Sequence, residues 1–133
     1  MADPFKFELV SPERLLMSAQ VEQVVVPGSE GYFTVLKGHA PYMATMRPGV
    51  VDVTREGEQE RIFVRGGFAD VNAGGLTVLA EQAIPLADVD PDWLEQEVRN
   101  AQEDVTDAKD GATRDAAELR LFQLKEVQTA LGR

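Results

Sequence analysis

The apolar residues of this chain change period near Ala87. That switch constrains the fold more than any motif, because a period of two and a period near 3.6 cannot share one element type. Before it, Phe5, Phe7 and Leu9 alternate with Lys6 and Glu8, a half-buried strand that ends at Ser11-Pro12. Leu15, Met17, Ala19 and Val21 then form one face, with Ser18, Gln20 and Glu22 on the other. The phase slips at Gln23, after which Val24 and Val26 are the apolar pair. A one-residue slip moves every later side chain to the opposite face, so a bulge or strand break is expected near Glu22-Gln23. Phe33 and Val35 alternate with Tyr32 and Thr34, and short strands follow at 49–55, 61–65, 68–72 and 76–80. Glu56-Gly57, Gly66-Gly67 and Asn72-Ala73-Gly74-Gly75 supply the bends between them. So many short, evenly spaced strands need a sandwich or flattened barrel to hide their edges.

Past Ala87 the pattern is helical. Asp90 can cap a helix with Pro91 in its first position, and Asp92, Glu95 and Glu97 complement the positive end of its dipole. Leu94, Val98, Ala101, Val105 and Ala108 make a narrow stripe, and Lys109-Asp110-Gly111 ends the run. Thr113 is read as the cap of a second helix, with Ala117, Leu121, Leu124, Val127 and Leu131 facing the first and Gly132 as its stop. The short connection makes the two antiparallel neighbours. The expected organisation is thus a β domain over 1–87 and a helical hairpin over 88–133. Residues 88–110 hold nine acids against Arg99 and Lys109, net −7, whereas 111–133 hold three acids against Arg114, Arg120, Lys125 and Arg133, net +1. The second helix is therefore the part least repelled by an acidic partner, and the first, with Ala at two of five stripe positions, buries little area per residue ordered.

Charge and composition remove several function classes. A formal charge of −10 argues against nucleic acid or an anionic membrane surface as the main partner. With no cysteine there is neither a disulfide framework nor a thiolate metal site. No apolar run approaches the roughly 18 residues of a spanning helix, and the first residues lack a signal-peptide layout. A cytoplasmic protein is expected, with any membrane association made through another protein.

The least ordinary stretch is Val26 to Pro48. Pro27-Gly28 and Gly38-His39-Ala40-Pro41 each pair a φ-fixing residue with one that tolerates positive φ, the chemistry of tight turns, on either side of the Phe33–Val35 strand. Two shaped loops on a rigid scaffold are a common way of presenting a surface. Catalytic chemistry is hard to place here. There is no GxxxxGK[ST] loop, no GxGxxG after a strand, no acidic cluster with calcium-loop spacing, and a single His. His39 reads as a loop-shaping residue, Trp93 as an anchor, and Glu95 with Arg99 as an i, i+4 pair on a solvated face. No catalytic residue, metal or cofactor is expected.

Val10-Ser11-Pro12-Glu13, Val21 through Gly31, Gly38-His39-Ala40-Pro41, Arg47-Pro48-Gly49 and Gly66-Gly67-Phe68 together resemble the epsilon subunit of bacterial F-type ATP synthase, a proton-translocating ATPase. The most specific elements are Gly28-Ser29-Glu30-Gly31 followed by Gly38-His39-Ala40-Pro41. The resemblance covers essentially the whole chain, by motif over 5–87 and by architecture over the last 45 residues. It implies a ten-stranded flattened β-sandwich followed by an antiparallel helical hairpin. It further implies a central-stalk rotor subunit that joins gamma, sits on the ring of c subunits, and couples proton flow to ATP synthesis, peripherally at the cytoplasmic face of the inner membrane.

Carried onto this chain, the resemblance puts Ser29, Glu30, Gly31 and Tyr32, with the neighbouring Gly38, His39, Ala40 and Pro41, against the c-ring. The alternative role it implies is inhibition of ATP hydrolysis, the hairpin meeting the beta and alpha subunits through Arg114, Arg120 and Lys125. Some members of the family bind ATP at the hairpin through Ile or Leu, Asp, two free positions, Arg and Ala. Here Asp90 is kept, but Trp93 and Leu94 stand where Arg and Ala belong, so a main phosphate partner is missing and ATP binding is expected to be weak or absent.

Overall fold

The computed structural model describes residues 3–131, so the proposed helix stop at Gly132 lies outside the described residues. The chain divides into two compact units, Met1–Ala87 and Asp88–Arg133.

The first unit contains ten strands: β1 (Phe5–Val10), β2 (Leu15–Val21), β3 (Gln23–Gly28), β4 (Gly31–Val35), β5 (Tyr42–Met46), β6 (Gly49–Arg55), β7 (Glu58–Val64), β8 (Gly67–Asn72), β9 (Gly75–Ala80) and β10 (Ala83–Pro85). They hydrogen-bond in the order β10-β7-β6-β3-β5-β8-β9-β1-β2, with β4 on the side of β3. Pairing between β3 and β5 is reduced to one position, Gly28 opposite Met46. There the sheet curls over, giving one layer built on β3, β4, β6, β7 and β10 and a second on β1, β2, β5, β8 and β9. Val24, Val26, Val35, Val51, Val53, Ile62 and Val64 from the first layer meet Phe5, Phe7, Leu9, Val21, Met46, Val71, Leu76 and Val78 from the second in one core. Alternation underlies most of the sandwich, with polar or partly exposed residues between the inward ones, although Val50 and Phe63 are buried beside the inward residues of β6 and β7.

The phase slip at Gln23 is a strand break. β2 ends at Val21, β3 begins at Gln23, and the intervening Glu22 N–H donates to Thr54 O at 2.8 Å. A second irregularity was not expected. Leu9 pairs with Met17 and Val10 with Leu15, so Leu16 is an extra residue in β2. The bulge turns Leu15 outward, 54% exposed, and lets Leu16 pack on the core instead. Glu56 and Gly57 form the two-residue β6–β7 turn with φ of 52° and 78°, as a type I′ hairpin requires. Pro27-Gly28, in contrast, is the end of β3 and not a turn: both residues pair with β4, and the turn itself is Ser29-Glu30. Two strands escape the alternation reading, β5 and the three-residue β10.

The second unit holds α1 (Pro91–Asp107) and α2 (Gly111–Ala130). Asp90 caps α1, its carboxylate accepting from Asp92 N–H at 2.9 Å with Pro91 at the first position. The cap of α2 is Asp110, not Thr113. Its carboxylate accepts from Thr113 N–H at 2.8 Å and from the Thr113 hydroxyl at 3.0 Å, so Thr113 is the donor and Gly111 opens the helix. Those two bonds hold the Asp110 carboxyl below its usual range, the backbone bond contributing most. Arg114 reaches back to Ala108 O and Arg120 to Glu97, so α2 returns along α1 and the pair is antiparallel. Leu94, Val98 and Ala101 of α1 and Leu124 and Val127 of α2 are the buried stripe positions.

Candidate docking surfaces

The Ser29-Glu30 turn stands at the corner where the sheet curls. Ser29 N–H donates to Thr45 O at 2.8 Å and Arg47 N–H to Pro27 O at 3.0 Å, tying the hairpin tip to the β5–β6 bend. Tyr32 is held at two points, its hydroxyl and one face of its ring. Its hydroxyl accepts from Val50 N–H at 3.3 Å, and the Arg47 guanidinium lies 5.0 Å from the ring centroid, a cation–π contact. Gly49 makes room for this, since a Cβ there would stand 2.7 Å from the Tyr32 hydroxyl and 2.8 Å from Pro27 Cβ. The outcome is an exposed turn on a braced corner, with Ser29, Glu30, Gly31 and Tyr32 all at the surface.

The Gly38-His39-Ala40-Pro41 loop does not share this corner. It follows the far end of β4, one strand length away, or about 13 Å for the four steps from Gly31 to Val35 at about 3.3 Å each. His39 N–H donates to Leu36 O at 3.0 Å around Gly38 at φ +85°, the positive φ that a type II turn needs at its third residue. The His39 Nδ1 sits 2.7 Å from Ala40 O. Because a carbonyl can only accept, Nδ1 carries the proton and the ring is spent on shaping the loop. His39 and Tyr42 ring centroids are 6.4 Å apart, and Tyr42 stands edge-on to Phe33 at 5.2 Å. A shallow cleft separates this loop from the Asn72–Gly75 turn and from Phe5 and Lys6 of β1. The structure therefore brings Ser29 to Tyr32 together, and Gly38 to Pro41 together, but at opposite ends of β4.

A third surface was missed by sequence reasoning. In the second layer Thr45 pairs with Phe68, Phe68 with Leu79, Leu79 with Val10, and Val10 with Leu15. These five positions form one cross-strand row on the outer face. Phe68 is 52% exposed and Leu79 49%, while their neighbours Ala69, Val78 and Ala80 are buried. Four of the five, Phe68, Leu79, Val10 and Leu15, are apolar, and such a stripe on the solvent face of a sheet is a candidate interaction surface. The available signal was Phe68 and Leu79 standing out of phase with the buried set of their own strands; their alignment needs the register.

On the hairpin, Arg120 Nη2 lies 2.8 Å from Glu97 Oε2 and Arg114 donates to Ala108 O at 3.4 Å, whereas Lys125 has no ion-pair partner among the described residues. Glu95 and Arg99 form the anticipated i, i+4 pair at 3.4 Å. Trp93 is exposed, and Leu119 and Phe122 project from α2 into solvent. Among the described residues no group of three or more His, Asp or Glu could hold a metal, and no helix is long and apolar enough to cross a membrane.

A curled ten-stranded sheet followed by a two-helix hairpin puts the chain in the class of small β-sandwich and hairpin proteins. The family model for the ATP synthase delta/epsilon chain, beta-sandwich domain, matches residues 4–86. The ATP synthase epsilon chain of Parvibaculum lavamentivorans is 54% identical over 129 residues, 96% of this chain and 98% of the relative. That of Mesorhizobium japonicum is 53% identical over 132 residues, 98% of each. A chain in the cryo-EM structure of the Euglena gracilis mitochondrial ATP synthase superposes with a TM-score of 0.85 at 25% identity, over 98% of this chain and 83% of that one. A chain of the Tetrahymena thermophila mitochondrial ATP synthase central stalk and c-ring shares the fold, with a TM-score of 0.74 at 13% identity over 97% of each. This chain belongs to the ATP synthase epsilon family and is a subunit of that complex.

Proposed function

We propose that the chain is a non-catalytic rotor subunit of the central stalk, seated on the c-ring and joined to gamma, and that it couples proton flow through the ring to ATP synthesis in the head. The observation that carries this reading is the braced corner. Torque passes through a contact only if the contact does not yield, and the Ser29–Tyr32 turn is held by two backbone bonds, the Tyr32 hydroxyl and the Arg47 guanidinium on a closed, densely packed core. Ser29, Glu30, Gly31 and Tyr32 are assigned to the polar loops of the ring. The Gly38-His39-Ala40-Pro41 loop, at the other end of β4, makes a separate contact and not a continuation of the same patch. The outer row of Phe68, Leu79, Val10 and Leu15 is assigned to gamma, because an apolar stripe is suited to a permanent stalk contact. The two units act as separate domains, peripheral at the cytoplasmic face of the inner membrane.

A second reading is that the hairpin restrains ATP hydrolysis by meeting the beta and alpha subunits, favoured by Lys125 of α2, which is exposed and has no ion-pair partner among the described residues. ATP binding at the hairpin should be weak or absent, since Trp93 supplies no guanidinium. Affinity-tagged full-length chain should bring down the membrane ATPase, and a chain lacking 88–133 should still do so. Recovery of the tagged chain alone would overturn the subunit reading. In the truncated complex, raised hydrolysis supports restraint by the hairpin, and unchanged hydrolysis with intact pumping supports a structural role only.

A further inference from the structure

Two of the three basic residues that α2 could offer to an acidic partner are already engaged inside the hairpin. The Arg120 guanidinium meets the Glu97 carboxylate of α1 at 2.8 Å, and Arg114 donates to Ala108 O at 3.4 Å. Glu97 is the more shielded partner of the ion pair, its side chain 23% exposed against 48% for Arg120. It lies on α1, which holds six acids against one base and packs along α2, which holds three of each. The Nη2 edge of Arg120 that meets Glu97 cannot make the same charge-assisted bond to a second carboxylate while that pair is closed.

We propose that α1 is an internal decoy for α2: its acidic face, through Glu97, occupies Arg120 in the closed hairpin. An acidic segment of the catalytic head must displace Glu97 before Arg120 can engage. The inference rests on the reading that the hairpin restrains hydrolysis through α2. The Glu97–Arg120 pair then sets how readily the hairpin opens, and increased salt weakens both the decoy and the contact it competes with.

The test uses full-length chain carrying Glu97→Gln, Arg120→Gln, or the swap Glu97→Arg with Arg120→Glu. Hydrogen exchange of α2 amides around Arg120 should be about two- to fivefold faster in Glu97→Gln, the range of a partly exposed ion pair, and return toward wild type in the swap. Wild-type exchange in Glu97→Gln overturns the clasp. In the assembled ATPase, Glu97→Gln should deepen the restraint on hydrolysis, while Arg120→Gln and the swap should relieve it. If removal of 88–133 raises hydrolysis but Glu97→Gln restrains no better than wild type despite faster exchange, the decoy fails alone. If removal changes nothing, the inhibitory reading fails and the decoy falls with it.

Discussion

Gly49→Ala is the sharpest local perturbation of the corner, because it adds one methyl group where two neighbours already stand. The new Cβ would be 2.7 Å from the Tyr32 hydroxyl and 2.8 Å from Pro27 Cβ, whereas carbon contacts settle at about 3.5–4.0 Å. Some tenths of an ångström must be found twice, from a hydroxyl hydrogen-bonded to Val50 N–H and from a proline ring inside β3. Gly49 does not have a positive φ, so alanine meets no backbone penalty and the effect is one of space. Overpacking of this kind costs about 1–3 kcal/mol, which for a unit the size of 1–87 lowers Tm by about 4–8 °C per kcal/mol. Tyr32→Phe removes one of the two collisions and also the hydrogen bond, which at 3.3 Å contributes about 1 kcal/mol. The double variant should therefore be less damaged than the sum of the singles, by about 1 kcal/mol, with the Pro27 collision remaining. Trp93 lies in the hairpin and would report the wrong unit, so the assay is native-state hydrogen exchange at the β3 and β6 amides. A Gly49→Ala chain with the wild-type opening free energy, or strict additivity with Tyr32→Phe, would refute the packing argument.

Two further outcomes follow from the surfaces and the caps. Phe68→Ser with Leu79→Ser removes half-exposed side chains, so the chain should stay folded by circular dichroism yet lose at least tenfold in affinity for the gamma subunit by calorimetry. Burial of about 100 Å² from Phe68 alone is worth about 2.5 kcal/mol at about 25 cal/mol per Å². Asp110 has its carboxyl held low by Thr113, so its contribution to α2 is present above the ordinary carboxylate pKa of about 3.9 and is lost as pH falls through the lower folded value. Helicity of the first turn of α2, followed by NMR, should fall over that acid window in wild type. In Asp110→Ala it should already be reduced at neutral pH and show no such step.

Much of the fold was legible because alternation and helical period are local properties. Phe5, Phe7 and Leu9 on one face, the break at Glu22, the Glu56-Gly57 hairpin and the Asp90-Pro91 helix start each depend on residues within a few positions of one another. What escaped depends on register or on competition between neighbours. Tyr42-Met43-Ala44-Thr45-Met46 has no clean alternation, and it is a strand because it pairs throughout with β8. Leu15 looks like a core residue until the extra Leu16 turns it outward. Asp110 and Thr113 are both good caps, and the carboxylate wins because it accepts from both donors of Thr113. The apolar row across β8, β9, β1 and β2 joins residues up to 69 positions apart, from Val10 to Leu79, and only the register aligns them. The two glycine-bearing loops of the 26–48 stretch look adjacent in sequence because β4 is short, yet that strand sends them to opposite ends of the sandwich.

The central claim, that the braced corner passes torque between ring and stalk, is tested most directly by Glu30→Ala with Tyr32→Ala in ATP synthase reconstituted into vesicles. ATP-driven proton pumping, read by quenching of a pH-sensitive dye, should fall relative to wild type while ATP hydrolysis by the same vesicles is retained. Pumping and hydrolysis both at wild-type levels, in vesicles shown to contain the variant chain, would contradict the account.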